Sequence, residues 1–129
     1  MAVPLTHQFI ESVLGCLSEG VIIIDSSDTI ITWNAALVSI LHLDPSRALG
    51  KRYQEVFSTY PQLGLIGILH TMRMQHLPDT IVRTSVEGTI PERGKINLNL
   101  CIHVLANIAQ TYIGVVIVID DQTERGSRR

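Results

Sequence analysis

The sequence predicts an α+β domain whose helices gather on one face of an antiparallel sheet, and three observations predict it. Two short β-branched runs at the front are separated only by a polar turn. The middle of the chain carries repeated helix start and stop signals. The last third changes to a period of two, with three strand-length runs in succession. At 129 residues the chain is one domain's worth of sequence, enough to bury roughly two-thirds of the surface its unfolded form exposes.

In chain order, Thr6 to Leu17 places Phe9, Ile10, Val13, Leu14 and Leu17 at helical spacing, with Gln8, Glu11 and Ser12 opposite. This predicts an amphipathic opening helix that ends at Glu19-Gly20. Val21 to Ile24 and Thr29 to Trp33 read as two strands. Asp25-Ser26-Ser27-Asp28 turns the chain between them, because short polar side chains bond their own backbone there. Asn34 reads as an N-cap whose side-chain oxygen accepts an orphan amide proton of the helix through Ala35, Leu37, Ile40 and Leu41. Asp44-Pro45 repeats the start signal, and Gly50 closes one short helix. After Pro61 comes a helix-length apolar segment through Leu63, Leu65, Ile66, Ile68, Leu69 and Met72, ended by Pro78. Thr80 to Val86, Lys95 to Leu105 and Tyr112 to Asp120 read as strands, with Gly88 and Pro91 to Gly94 turning the chain between the first two. In the middle strand Ile96, Leu98, Leu100, Ile102 and Val104 share one face, and Asn97, Asn99, Cys101 and His103 the other. The last strand is apolar on both faces: Ile113, Val115, Ile117 and Ile119 on one, Gly114, Val116 and Val118 on the other.

Composition narrows the function classes. Hydrophobic residues make up 46% of the chain and charged ones 17%, which excludes disorder. A formal charge of −2 does not suit neutralising a nucleic-acid backbone, so nucleic acid is not expected as a partner. Cys16 and Cys101 belong to no Cys-x-x-Cys pair and read as reduced thiols of a cytoplasmic protein. The first residues lack the basic start and unbroken apolar stretch of a secretory signal. The uncharged run from Ile96 to Ile119 alternates like strands and carries Asn97, Asn99, His103 and Asn107, so no membrane span is expected.

Three segments resemble the PAS sensor-domain family. Glu19 to Asp25 with Thr29 to Ala36 look like its opening hairpin and the Asn-x-Ala helix start. Leu49-Gly50-Lys51 followed by Val56-Phe57 looks like its glycine-lysine turn. Gly114 to Glu124 is similar to its last strand and the Asp-x-Thr signature. The resemblance covers about residues 6 to 124. It implies a five-stranded antiparallel sheet in the order 2-1-5-4-3 cupping helices around an apolar cavity, in an input module of a sensor histidine kinase, cyclase or regulator. The expected division is an N-terminal flanking helix over residues 1–18, the PAS domain over 19–124 and a tail or linker start over 125–129.

The resemblance also directs attention to the cavity, with Ile66, Leu69, His70, Leu98, Leu100 and Val116 as its expected lining. The Asn-Cys-Arg-Phe-Leu-Gln stretch of the flavin-binding subclass is missing, and Val116 stands where those flavoproteins use glutamine, so no flavin is expected. No cofactor is expected, with haem held through His70 as the alternative, Met72 and His76 lying nearby. Cys101 and His103 do not close a tetrahedral metal shell, and no metal site is expected. No nucleophile elbow or phosphate loop occurs, so no enzyme is read here. Asp121 and Thr123 are the candidate signal relay: Thr123 can cap an outgoing helix, and Asp121 can bond the backbone or that hydroxyl, against the alternative of a simple terminal turn. Expected partners are a second copy of the chain, a C-terminal effector and a small apolar ligand. The expected dimer interface joins Phe9, Val13 and Cys16 of the opening helix to an outward stripe of Ile113, Val115 and Ile117. A ligand-free structural adaptor filled by its own Leu and Ile side chains is the remaining alternative.

Overall fold

Backbone pairing joins β1 (Gly20–Asp25), β2 (Ile30–Trp33), β3 (Ile81–Ile90), β4 (Gly94–Ala106) and β5 (Tyr112–Asp121) into one antiparallel sheet. The order is β2-β1-β5-β4-β3, as expected. The computed structural model describes residues 18–75, 81–90, 93–106, 109 and 111–123. The expected opening helix, with Phe9, Val13 and Cys16, and residues 124–129, which include the expected tail, lie outside the described residues. In the β1–β2 turn Asp25 Oδ1 accepts from the amides of Ser27 and Thr29, at 2.8 and 3.0 Å. That is the local bonding its short side chain was expected to make.

The helices lie between β2 and β3 in the chain. Helix α1 (Ala35–Leu41) buries Leu37, Ile40 and Leu41. The expected helix after Asp44 is a single 3-10 turn over Pro45–Arg47, with Asp44 accepting from the Ser46 amide at 3.1 Å. Helix α2 (Tyr53–Phe57), which no sequence signal suggested, buries Tyr53, Val56 and Phe57. The long apolar segment divides at Gly64, whose φ of +67° suits a glycine and separates a 3-10 turn (Pro61–Leu63) from helix α3 (Leu65–Gln75). Gly88 does not turn the chain: it pairs with Ile96 inside β3. A Cβ there would lie 3.4 Å from Gln62 Cβ, so it sits where the second 3-10 turn packs on the strand.

The core lies between the helices and one face of the sheet. On β4 the alternation is as expected, with Ile96, Leu98, Leu100, Ile102 and Val104 all buried. On β5 the expected phase is reversed. Ile117 pairs with Ile22 of β1 and Ile102 of β4, and Val115 with Ile24 and Val104. All six are at most 2% exposed, so Val115, Ile117 and Ile119 face the core. Val116 and Val118 lie opposite His103 and Cys101 on the outer face and are half-buried. Side chains alternate strictly along a strand, so a one-residue change of phase moves the whole set to the other face.

At Gly114 the backbones of β5 and β1 crowd together: an added Cβ would lie 2.4 Å from the carbonyl oxygen of Ile24. A main-chain oxygen in a paired strand cannot rotate away. Gly114→Ala is expected to destabilise the fold by about 2 kcal/mol, as overpacking does. At Gly67, in α3, nothing lies within 4 Å of an added Cβ, and Gly67→Ala is expected to stabilise by about 0.5 kcal/mol. Urea unfolding of both variants checks the pair; a neutral Gly114→Ala would contradict this packing of β5 on β1.

Candidate functional site

The residues that leave the last strand form a compact hydrogen-bonded knot. Gln122 donates its amide to the Asn97 carbonyl at 2.8 Å, and Thr123 Oγ1 accepts from the Asn97 amide at 3.0 Å. Together these extend the β4–β5 ladder one step past its last pair, Leu98 with Asp121. Asp121 Oδ1 accepts from the Thr123 amide at 3.0 Å, closing a local turn. Its Oδ2 takes Arg93 Nη2 at 2.5 Å. Arg93 Nη1 in turn donates to the Ile40 carbonyl at 2.7 Å, at the end of α1. The junction therefore binds three elements: the end of β5, the start of β4 and the helix layer. Burial raises the Asp121 carboxyl, but the hydrogen bonds from Thr123 and from the Arg93 guanidinium outweigh it and hold the group below its ordinary value of 3.8.

Asn34 does something other than cap. It makes no side-chain cap bond with α1. Instead its Oδ1 accepts from the Val21 amide and its Nδ2 donates to the Glu19 carbonyl, both at 2.9 Å, while its own amide donates to the Val21 carbonyl at 3.3 Å. The side-chain amide thus stands in for one more residue of β2 and pins the entry to β1. Neither Arg93 nor this role of Asn34 was foreseen. Arg93 lies 53 and 28 residues from its two partners, so no local spacing marks it. Asn34 is 15 and 13 residues from its own, and both of its hydrogen-bonding ends are used.

Of the expected cavity lining, Leu69, Leu98 and Leu100 are in the core, and Ile66 packs against it partly buried. Two residues are misplaced by the expectation. Val116 is on the outer sheet face because the phase of β5 is reversed, and His70 is exposed on α3. The expected outward stripe is corrected as well: Val115 and Ile117 are 2% and 0% exposed in the chain's own core, leaving only Ile113, at 47%, open. Two grooves, of about 480 and 630 Å³, lie on the outer side of the sheet. Cys101, Val118 and Asp120 line the first, and Asn97 and Thr123 the second. Among the described residues no three His, Cys, Asp or Glu side chains group to hold a metal ion, and no helix is long and apolar enough to cross a membrane.

A model of the PAS-fold family matches residues 6–122. None of the curated proteins matches the chain. Among solved structures, the PAS domain of a Colwellia psychrerythraea protein superposes with a TM-score of 0.67 at 11% identity, covering 93% of this chain and 99% of that one. A PAS domain from a two-component sensor histidine kinase gives 0.63 at 8% identity, covering 92% and 98%. An RNA-binding light-oxygen-voltage receptor gives 0.73 at 13% identity, covering 98% of this chain but only 35% of the receptor. At these identities the likeness is one of fold.

The Asp121 carboxyl sets a pH dependence with a definite sign. Its folded value lies below 3.8, so on acidification the unfolded chain takes up the proton first. The stability it contributes is complete above that ordinary value and is lost as pH falls through the lower, folded one. Asp44, held low by the Ser46 hydroxyl and amide, acts in the same direction, so the readout is a difference between proteins. Below about pH 4 the stability of Asp121→Asn is expected to fall less steeply than that of wild type. Parallel curves would mean that the knot does not bind the charged form.

Proposed function

This chain belongs to the PAS-fold family, and from that premise we propose that it is a sensory and dimerisation input module, which passes ligand- or partner-dependent changes in its sheet to a C-terminal effector such as a histidine kinase or cyclase. The observation that carries this reading is the knot at Asp121 and Thr123. The chain leaves the core through residues hydrogen-bonded to β4 and tied to α1, so movement of either element is delivered to the exit. The module itself is read as non-catalytic and cytoplasmic.

The side chains of Leu69, Leu98, Leu100 and Val104 in the core offer no hydrogen bonds to a flavin ring, and a ligand admitted among them would be small and apolar. Haem ligation through His70 finds no support in the exposure of that residue. For the dimer, the apolar face available to a second copy is Ile23, Val116 and Val118, all half-buried, with Ile31 and Ile81 exposed at either edge. The opening segment's Phe9, Val13 and Cys16 complete the proposed interface.

The test joins residues 1–129 to a histidine-kinase effector. Thr123→Ala removes the bond from the Asn97 amide and is expected to lower the unfolding free energy by about 1 kcal/mol, and Asp121→Ala, which removes both the Thr123 turn bond and the Arg93 ion pair, by about 2 kcal/mol, while kinase output is uncoupled from the module in both. Wild-type output in both folded variants would reduce the knot to a terminal turn. The purified chain is expected to scatter light as a dimer and to carry no Soret or flavin band; a band that survives dialysis would overturn the cofactor-free reading.

A further inference from the structure

We propose that Arg93 is a latch that couples the last turn of α1 directly to the exit knot, giving the core a second route to the C-terminus besides the sheet. Three observations carry it. The guanidinium spans two acceptors on different elements, the Ile40 carbonyl at 2.7 Å and Asp121 Oδ2 at 2.5 Å. It is a rigid planar fork, so when one acceptor shifts the group pivots and the other is displaced, which a flexible ammonium would not enforce. The Ile40 carbonyl belongs to the last turn of a helix, where it has no partner within the helix and where the helix dipole favours a cation.

Ile40 also reaches the other way. Its side chain is 3% exposed in the core, among Leu37, Leu41 and the sheet residues. One residue thus meets whatever fills the core with its side chain and holds the latch with its carbonyl. A change in core volume that moves Ile40 moves Arg93, and through it Asp121 and the Thr123 turn. Arg93 is a positioning residue in this scheme. The proposal relies on the sensory reading only for what the coupling is used for; the coupling itself is measured in the chain without any effector.

Amide hydrogen exchange reads it. The His42 amide, bonded to the Val38 carbonyl at 3.0 Å, reports the last turn of α1, and the Thr123 amide reports the knot. Among the described residues, hydrogen bonds link Asp121 to α1 through Arg93. Asp121→Asn is therefore expected to speed exchange at His42 about tenfold, as loss of a charge-assisted bond would. Arg93→Met should do the same at both His42 and Thr123. In the Arg93→Met background, Asp121→Asn should add nothing at His42. Arg93→Lys keeps the charge but not the fork, and should leave one of the two amides protected. An unchanged His42 rate in Asp121→Asn overturns the latch, as does an equal acceleration at Ile117, which would mark global loosening, or full protection of both amides by lysine.

Discussion

The whole architecture depends on the phase of β5. This strand is paired on both edges, to β1 along Gly20–Asp25 and to β4 from Leu98 to Ala106. With two neighbours holding its register, it cannot turn over without moving both. Val115, Ile117 and Ile119 are therefore aligned with Ile22 and Ile24 on one side and with Leu100, Ile102 and Val104 on the other. This continuous apolar band is the floor on which α1, α2 and α3 pack. Burial of such a band supplies most of the favourable free energy, at about 25 cal/mol per Å² of apolar surface.

What the helices add is held at one end by donors from elsewhere. The carbonyls at and just after the end of α1 are each taken by a different side chain: Ile40 by Arg93, Leu41 by the Tyr60 hydroxyl at 3.1 Å and Leu43 by Trp33 Nε1 at 3.0 Å. A helix terminus leaves such groups unpaired, and here they become the points at which the helix layer is fixed to the rest of the fold. The exit knot shares one of these anchors through Arg93. A run of hydrogen bonds thus joins the helix end to the C-terminal exit, which is the connection that the proposed relay would use.

Much of this was legible in the sequence, and the rest was hidden for identifiable reasons. The alternation of β4 is polar against apolar, so both the strand and its inward face could be read. In β5 both faces are apolar, so periodicity indicates a strand without saying which face is buried; the assignment made from family resemblance chose the wrong one. Helix α2 has five residues and no cap side chain, too little for a periodic signal. The β1–β2 hairpin was plain from Asp25 and its neighbours, because its bonds are local. The bonds of Asn34 and Arg93 are long-range, and residue types alone do not show which backbone they will meet. Asp121 and Thr123 could be named from their motif, but their partners Asn97 and Arg93 could not.

The phase of β5 is tested most directly by placing a hydroxyl on each of its faces in turn. Ile117→Thr puts one into a site with no exposure, and is expected to cost about 3 kcal/mol through lost packing and an unsatisfied polar group. Val118→Thr, on the half-buried outer face, is expected to cost less than about 1 kcal/mol. Denaturant unfolding of the two variants side by side decides the matter: the larger loss at Ile117 supports the core described, and a larger loss at Val118 would mean that the sheet faces the other way.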